Sequence, residues 1–294
     1  MTELRSEPYF SDADVEAERD AGVPRHVSRK ERRRRRTIAA LAVLLVVLAA
    51  AAVVSIVWQP GAPVATAPVS PAEAPRAATA APEARYPVPP TQAAQPPLEA
   101  SDATMLAGLA LVFGDGALST YIEPQHLARR IVATVDNLPR RSATPAQWPV
   151  KPAAGALATV SEDGRTRIAE ANGFRYTAYV RLLESVDVER FAEFYRRHYP
   201  LFQQAYRELG YPQGHFNDRA VEAIDVLMAT PTLAQSPALV QPKIFLQFAD
   251  RDLEQLPAGQ KLMLRLGAQN AARVKAKLAD IRTVITAMEV HATR

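Results

Sequence analysis

The sequence predicts a mainly α-helical protein with one transmembrane helix, a Pro/Ala-rich linker, and a mostly helical C-terminal domain carrying a candidate short β-hairpin. Three observations predict it. An uncharged run, residues 37–58 (TIAALAVLLVVLAAAAVVSIVW), stands directly behind the arginines at 32–36. Eleven of the 24 prolines fall within residues 59–97. Beyond residue 98, apolar side chains recur at spacings of three and four and are interrupted at Gly and Pro.

Residues 1–36 form a charged tail, acidic first and then basic: residues 25–36 hold eight Arg and Lys against the single acid Glu31. Such a charge density leaves almost nothing to bury, so the tail is expected to be disordered. At ~1.5 Å per residue, residues 37–58 match the ~30 Å hydrocarbon core of a bilayer as one helix, which satisfies its own backbone hydrogen bonds. No Lys or Arg follows the run before Arg76. The positive-inside rule therefore puts the N-terminus in the cytoplasm and the C-terminal domain outside. A cleaved signal peptide is the competing account, with small residues at 50–52, but signal cores run to ~7–15 apolar residues behind a short start. The expected partners begin with the lipid bilayer, met through residues 37–58 and assisted by arginines near anionic headgroups. With 29 Arg against 6 Lys and abundant Ala, the chain reads as bacterial. The expected location is then the inner membrane, with a periplasmic domain.

The prolines of 59–97 exclude helix and sheet and favour a semi-rigid polyproline II spacer with an upper reach of roughly 120 Å at ~3.1 Å per residue. Residues 98–294 suffice for one well-buried domain. Their charge nearly cancels, 23 basic against 21 acidic residues, so nucleic acid binding has no support. The chain has no Cys, which removes disulfides, thiolate chemistry and Cys-ligated metal. No cofactor or metal is expected.

Within the domain, helices are expected over 101–113, opened by Ser101 and Asp102, and over 124–135, stopped by Asn137 and Pro139. Between them, residues 114–116 (GDG) read as a turn. Residues 138–155, with four prolines, read as extended. Residues 157–160 and 166–169 flank Glu162-Asp163-Gly164 as a hairpin. Helices follow over 175–184 and 188–199, the latter capped by Asp187, and Pro200 either kinks that helix or starts the next, which ends at Gly210. Phe191, Phe194, Tyr195, His198, Tyr199 and Phe202 form one aromatic stripe expected in the core. Asn217 or Asp218 should cap a helix running to Thr230. Residues 243–248 (KIFLQF) fit a helix after Pro242 or an alternating strand, and helical neighbours favour the helix. Helices over 257–266 and 271–288 complete the domain. Val274, Leu278, Ile281, Ile285 and Met288 give the last a single apolar face of only two heptads, so docking on the domain and a monomer are favoured over a coiled coil.

The chain lacks HExxH, GxSxG, GxxxxGK[ST] and GxGxxG, and each absence removes a common enzyme class. Glu222 and Asp225 share a helix face, the ordinary placement of solvated carboxylates. Three polar clusters stand out. Arg129, Arg130, Arg140, Arg141 and Lys151, with Asp136 and Asn137 beside them, form a basic patch suited to an anionic glycan or headgroup, or simply a solvated face. The segment from Tyr211 to Asp218, including Asn217, is either a ligand rim or an interhelical turn. Gln241, Lys243, Gln260, Lys261 and Arg265 supply cationic and amide groups that the chain brings together only if the fold does.

VDNLPRR (135–141), YPLFQQAYRELGYPQGHFND (199–218), LVQPK (239–243), FAD (248–250) and GQKLMLRLG (259–267) together resemble a bacterial family known only as a domain of unknown function on single-pass membrane anchors. The resemblance covers most of residues 98–288 and implies an inner-membrane protein with a family domain. It brings no activity, ligand or catalytic residue. Two function classes stand: a periplasmic scaffold or binding domain that engages envelope glycan or another envelope protein, and an envelope hydrolase of unfamiliar type with Asp136 or Asp218 as acid or base.

Overall fold

The computed structural model describes residues 83–113, 115–143, 147–242 and 245–288, with backbone alone at 115–117. A 3-10 turn, Leu98–Ala100, leads into α1, Asp102–Phe113, and α2, Asp115–Tyr121. Then come α3, Leu127–Asn137; the strands β1, Thr159–Glu162, and β2, Arg165–Ile168; α4, Asn172–Glu184; and α5, Val188–Glu208. The chain continues with α6, Phe216–Met228; β3, Ala238–Val240; β4, Gln247–Phe248; α7, Arg251–Gln255; α8, Ala258–Arg265; and α9, Ala268–Thr286.

The helices pack around α5 and α9. Helix α5 meets α1 and α3, α9 meets α4, α5 and α6, and α8 closes against α6. Their shared core holds the aromatic stripe: Phe191, Phe194, Tyr195, His198 and Phe202 are all buried. Tyr195, Phe202 and Phe216 lie ring against ring, with centroids 5.6 to 6.5 Å apart. Val274, Leu278, Ile281 and Ile285 line the buried side of α9. Helix α5 runs unbroken through Pro200, which lacks an N–H for the ladder, so of the two alternatives there a new helix starting at Pro200 is ruled out. Its start is as expected, Asp187 accepting from the Arg190 amide at 3.0 Å. Gly108 in α1 makes room for the stripe: a Cβ there would stand 2.7 Å from His198 Cε1 and 2.9 Å from Phe194 Cδ2.

The structure corrects the expected fold in several respects. The expected hairpin is half of a four-stranded antiparallel sheet in the order β1-β2-β3-β4. Thr166 pairs with Leu239, and Leu239 with Phe248, so LVQPK and FAD face each other across two neighbouring strands. Residues 247–248 are therefore strand, not helix, because pairing with β3 buries Phe248 in a small second core with Ile168, Leu239 and Leu264. Residue 115 opens a helix instead of a turn. The expected transmembrane helix is corrected likewise, for among the described residues no helix is long and apolar enough to cross a membrane. The span expected at 37–58 lies outside the described residues, as does Lys243.

The last part of the proline-rich stretch lies on the helical domain. Tyr86 and Val88 pack against the main core, Leu98 is buried within it, and Gln95 Nε2 donates to the Arg197 carbonyl at 2.9 Å.

Candidate functional site

Asp136 is the centre of the most connected polar junction. It ends α3 at 3% exposure, and its two carboxylate oxygens are taken by different arginines: Arg140 Nη2 donates to one at 2.7 Å, Arg219 Nε to the other at 3.0 Å. Arg219 Nη2 also donates to the Asp136 carbonyl at 2.5 Å, joining α6 to the end of α3. A carboxylate this far from water is tolerable only with such charge-assisted bonds. Arg219 reaches onward to Glu222 at 2.7 Å. Burial works against the Arg219 charge, but the Glu222 bond and the Glu222 and Asp136 charges outweigh it and hold its pKa above the usual arginine value.

The Tyr211 ring stacks on Tyr206 with centroids 4.5 Å apart and planes 15° from parallel, and its hydroxyl contacts Arg140. Gly214 lets the loop fold back so closely that a Cβ there would meet Tyr206 Cε1 at 2.9 Å. Burial and the Asp136 charge push the Tyr206 hydroxyl up to about 12. The loop after α3 also caps α8: Leu138 and Arg140 carbonyls accept from the Gly259 and Ala258 amides at 2.9 and 2.6 Å. Three of the resembling segments, VDNLPRR, GYPQGHFND and GQKLMLRLG, thus meet in one place.

Either Asn217 or Asp218 was expected as the helix cap, yet α6 starts at Phe216 and both side chains turn elsewhere. Asn217 is fully buried: its Nδ2 donates to the Tyr86 and Ile285 carbonyls, both at 2.9 Å, while Oδ1 accepts from the Tyr195 hydroxyl at 2.9 Å. Asp218 accepts from two consecutive amides, Arg85 at 3.1 Å and Tyr86 at 2.9 Å. The loop that read as either a ligand rim or an interhelical turn holds the protein's own residues 85–86, gripped through main-chain groups.

The other expected residues are dispersed. Asn137 donates to Gln147 Oε1 at 3.3 Å. Arg141 is exposed and has no ion pair among the described residues. Gln260 is buried and donates to the Val226 carbonyl at 2.9 Å. Lys261 donates to Glu254 Oε1 at 3.1 Å, Gln241 is exposed beyond β3, and Arg265 lies over Phe248 on the sheet side. The basic patch does not assemble as five cations: Arg129 pairs with Glu99 and Glu208, Arg130 bonds the Trp148 carbonyl and Lys151 the Ser119 carbonyl. Arg140 and Arg141 remain at the face. The pair Glu222 and Asp225 is split between surface ion pairs with Arg219 and Arg282. Arg219, Tyr206 and Tyr86 escaped the sequence reading; the only local sign of Arg219 was its i,i+3 spacing from Glu222. Among the described residues no group of His, Asp and Glu is arranged to hold a metal.

A family model described as "Protein of unknown function (DUF3014)" matches residues 127–282, from the first residue of α3 into α9. Neither the curated proteins nor the solved structures give a match.

Proposed function

The chain belongs to the DUF3014 family, whose function is unknown, and we propose that its domain is a non-catalytic binding or scaffold module of the bacterial cell envelope. It engages carboxylates or phosphates, on an anionic glycan or an acidic face of another envelope protein, through Arg140, Arg141 and Tyr211. The observation that carries this reading is the commitment of Asp136. Both of its oxygens are bonded to arginines and it is closed to solvent, so it is not presented to a substrate. Asp218, the other carboxylate considered for hydrolysis, is bound to two main-chain amides.

Beside Asp136, Arg140 is held in place by the carboxylate and by Tyr211 while its side chain stays 48% exposed. An arginine fixed in this way loses little entropy on binding an anion. Arg141, exposed and without an ion pair among the described residues, adds a further positive charge. The envelope placement rests on the charge asymmetry around residues 37–58, and a reporter active only outside the cytoplasm should work when fused after Arg294 and fail at residue 20.

Affinity capture of the intact protein from envelope fractions, with and without Arg141→Glu, tests the binding face. The substitution should abolish capture while leaving thermal stability unchanged, and added salt should weaken capture by the parent protein. Capture indifferent to both would remove the face from consideration.

A further inference from the structure

The core of the helical domain holds a cavity of about 80 Å³ where α1, α3, α5, α6 and α9 meet. Leu109, Val135, Phe202, Ala223 and Leu278 face it, one from each helix, and all five are buried. The lining is hydrocarbon throughout. Tyr195 presents only its ring, because its hydroxyl donates to Asn217 Oδ1 at 2.9 Å.

The sequence accounts for the space. On α6 the residues at 220, 223, 224 and 227 follow the i, i+3, i+4, i+7 pattern of one helix face and all line the cavity, and the first two are alanine. Close packing ordinarily fills such positions, since a void costs its lining the dispersion contacts it lacks. Here the opposing wall is fixed and does not close in. Phe194 is held against Gly108, where a Cβ would stand 2.9 Å from Phe194 Cδ2. Phe202 lies between the rings of Tyr195 and Phe216, with centroids 5.7 and 5.6 Å away. The Phe216 amide donates to Gln203 Oε1 at 2.9 Å, and Gln203 Nε2 donates to the Gly214 carbonyl at 2.7 Å. Rings locked in this way, opposite two alanines, keep the space open.

Such a wall selects its occupant. A buried water needs about two to four polar partners, and hydrocarbon offers it none. An apolar cavity of ~150 Å³ lined by Leu, Ile and Phe takes up benzene or xenon, and this one has the same kind of lining at roughly half that size. We infer that the cavity is a binding site for a compact non-polar group of a few carbon atoms, either a small hydrocarbon molecule or the methyl end of an alkyl chain. Recognition is by shape and dispersion alone, and a hydroxyl or carboxylate brought inside would be buried without a partner. The ligand is opposite in chemistry to the anion proposed for the Arg140 and Arg141 face, and neither site depends on the other.

Methyl-resolved NMR of the intact protein, kept free of alkyl detergent, tests the site with dissolved xenon, n-butane and octanoate. Xenon and n-butane should give saturable shifts at the methyls of Leu109, Val135 and Leu278, and n-butane should raise Tm. The methyls of Leu111, 75% exposed on α1, should show no saturation. Octanoate shifting the same core methyls would identify the ligand as a chain end whose carboxylate stays in water; n-butane binding without octanoate binding would identify a free small hydrocarbon. Ala223→Leu places three further carbons in the cavity and should weaken n-butane binding by ~10-fold or more, with Tm equal to the parent's or higher. Ala220→Met should do the same from a second position. Absence of saturable shifts at the core methyls, or equal n-butane binding by the parent and both variants, would overturn the site. So would a lower Tm or failure to fold in both variants, which would mean that the core has no room for added carbons; where only one fails, the other decides.

Discussion

Replacing Asn217 by alanine should be among the most damaging single substitutions in the domain. The side chain is fully buried and makes three hydrogen bonds of 2.9 Å, to the Tyr86 and Ile285 carbonyls and from the Tyr195 hydroxyl. At about 1 kcal/mol net per bond, their loss costs roughly 3 kcal/mol. The Tyr195 hydroxyl and Ile285 carbonyl then stay buried without partners, at ~1–3 kcal/mol apiece, whereas the Tyr86 carbonyl lies nearer water. The total, about 5 kcal/mol or more, approaches the whole stability of a small domain. Urea unfolding followed by circular dichroism gives the loss. A double-mutant cycle with Tyr195→Phe should show coupling of about 1 kcal/mol, since both substitutions remove the same bond. Hydrogen exchange should speed up at the Arg85 and Tyr86 amides as residues 85–86 lose their hold. A loss under about 1 kcal/mol, or strictly additive effects, would refute the view of Asn217 as the clasp between α5, α6, α9 and the preceding segment.

Gly108→Ala should destabilise by about 1–3 kcal/mol although alanine favours helix, because the added methyl enters the space of His198 and Phe194; an unchanged or raised Tm would show that the stripe can yield. Phe194→Ala and Leu278→Ala, both in the core, should each cost about 2–5 kcal/mol, and Arg273→Ala only about 0.2–1 kcal/mol for its surface pair with Glu184. Equal losses at all three in denaturant titrations would contradict the assigned helix faces. Burial lowers the His198 pKa from 6.5, so the unfolded chain binds a proton that the folded one refuses. Stability should therefore fall as pH drops below about 6.5, and His198→Phe should flatten that slope; parallel pH profiles would place the titration elsewhere.

The helices were legible because their signals are local: Asp187 caps within three residues, and the aromatic stripe of α5 repeats within one helix. Strand β3 has no local signal and β4 only an alternation that fits a helix as well, since pairing with β2 and with each other defines them. The same reason hid the junction. Asp136 and Arg219 lie 83 positions apart, and Asn217 and Tyr86 131, so charge counted along the chain overstated the basic patch while missing the arginine that neutralises its acid. Within the resembling segments, Leu138, Arg140, Tyr211 and Gly259 make junction contacts, and Asn217 bonds Tyr86 and Ile285. They could not indicate that Asn217 and Asp218 hold the protein's own backbone.

The central claim, a binding face beside a structural carboxylate, is tested most directly by amide chemical-shift mapping of the intact protein against soluble carboxylate-bearing peptidoglycan fragments. The account predicts salt-sensitive shifts concentrated at Arg140, Arg141 and Tyr211, with the fragments unaltered and the shifts absent in Arg141→Glu. Shifts centred elsewhere, or cleavage of the fragments that Asp136→Asn abolishes without unfolding the domain, would contradict it.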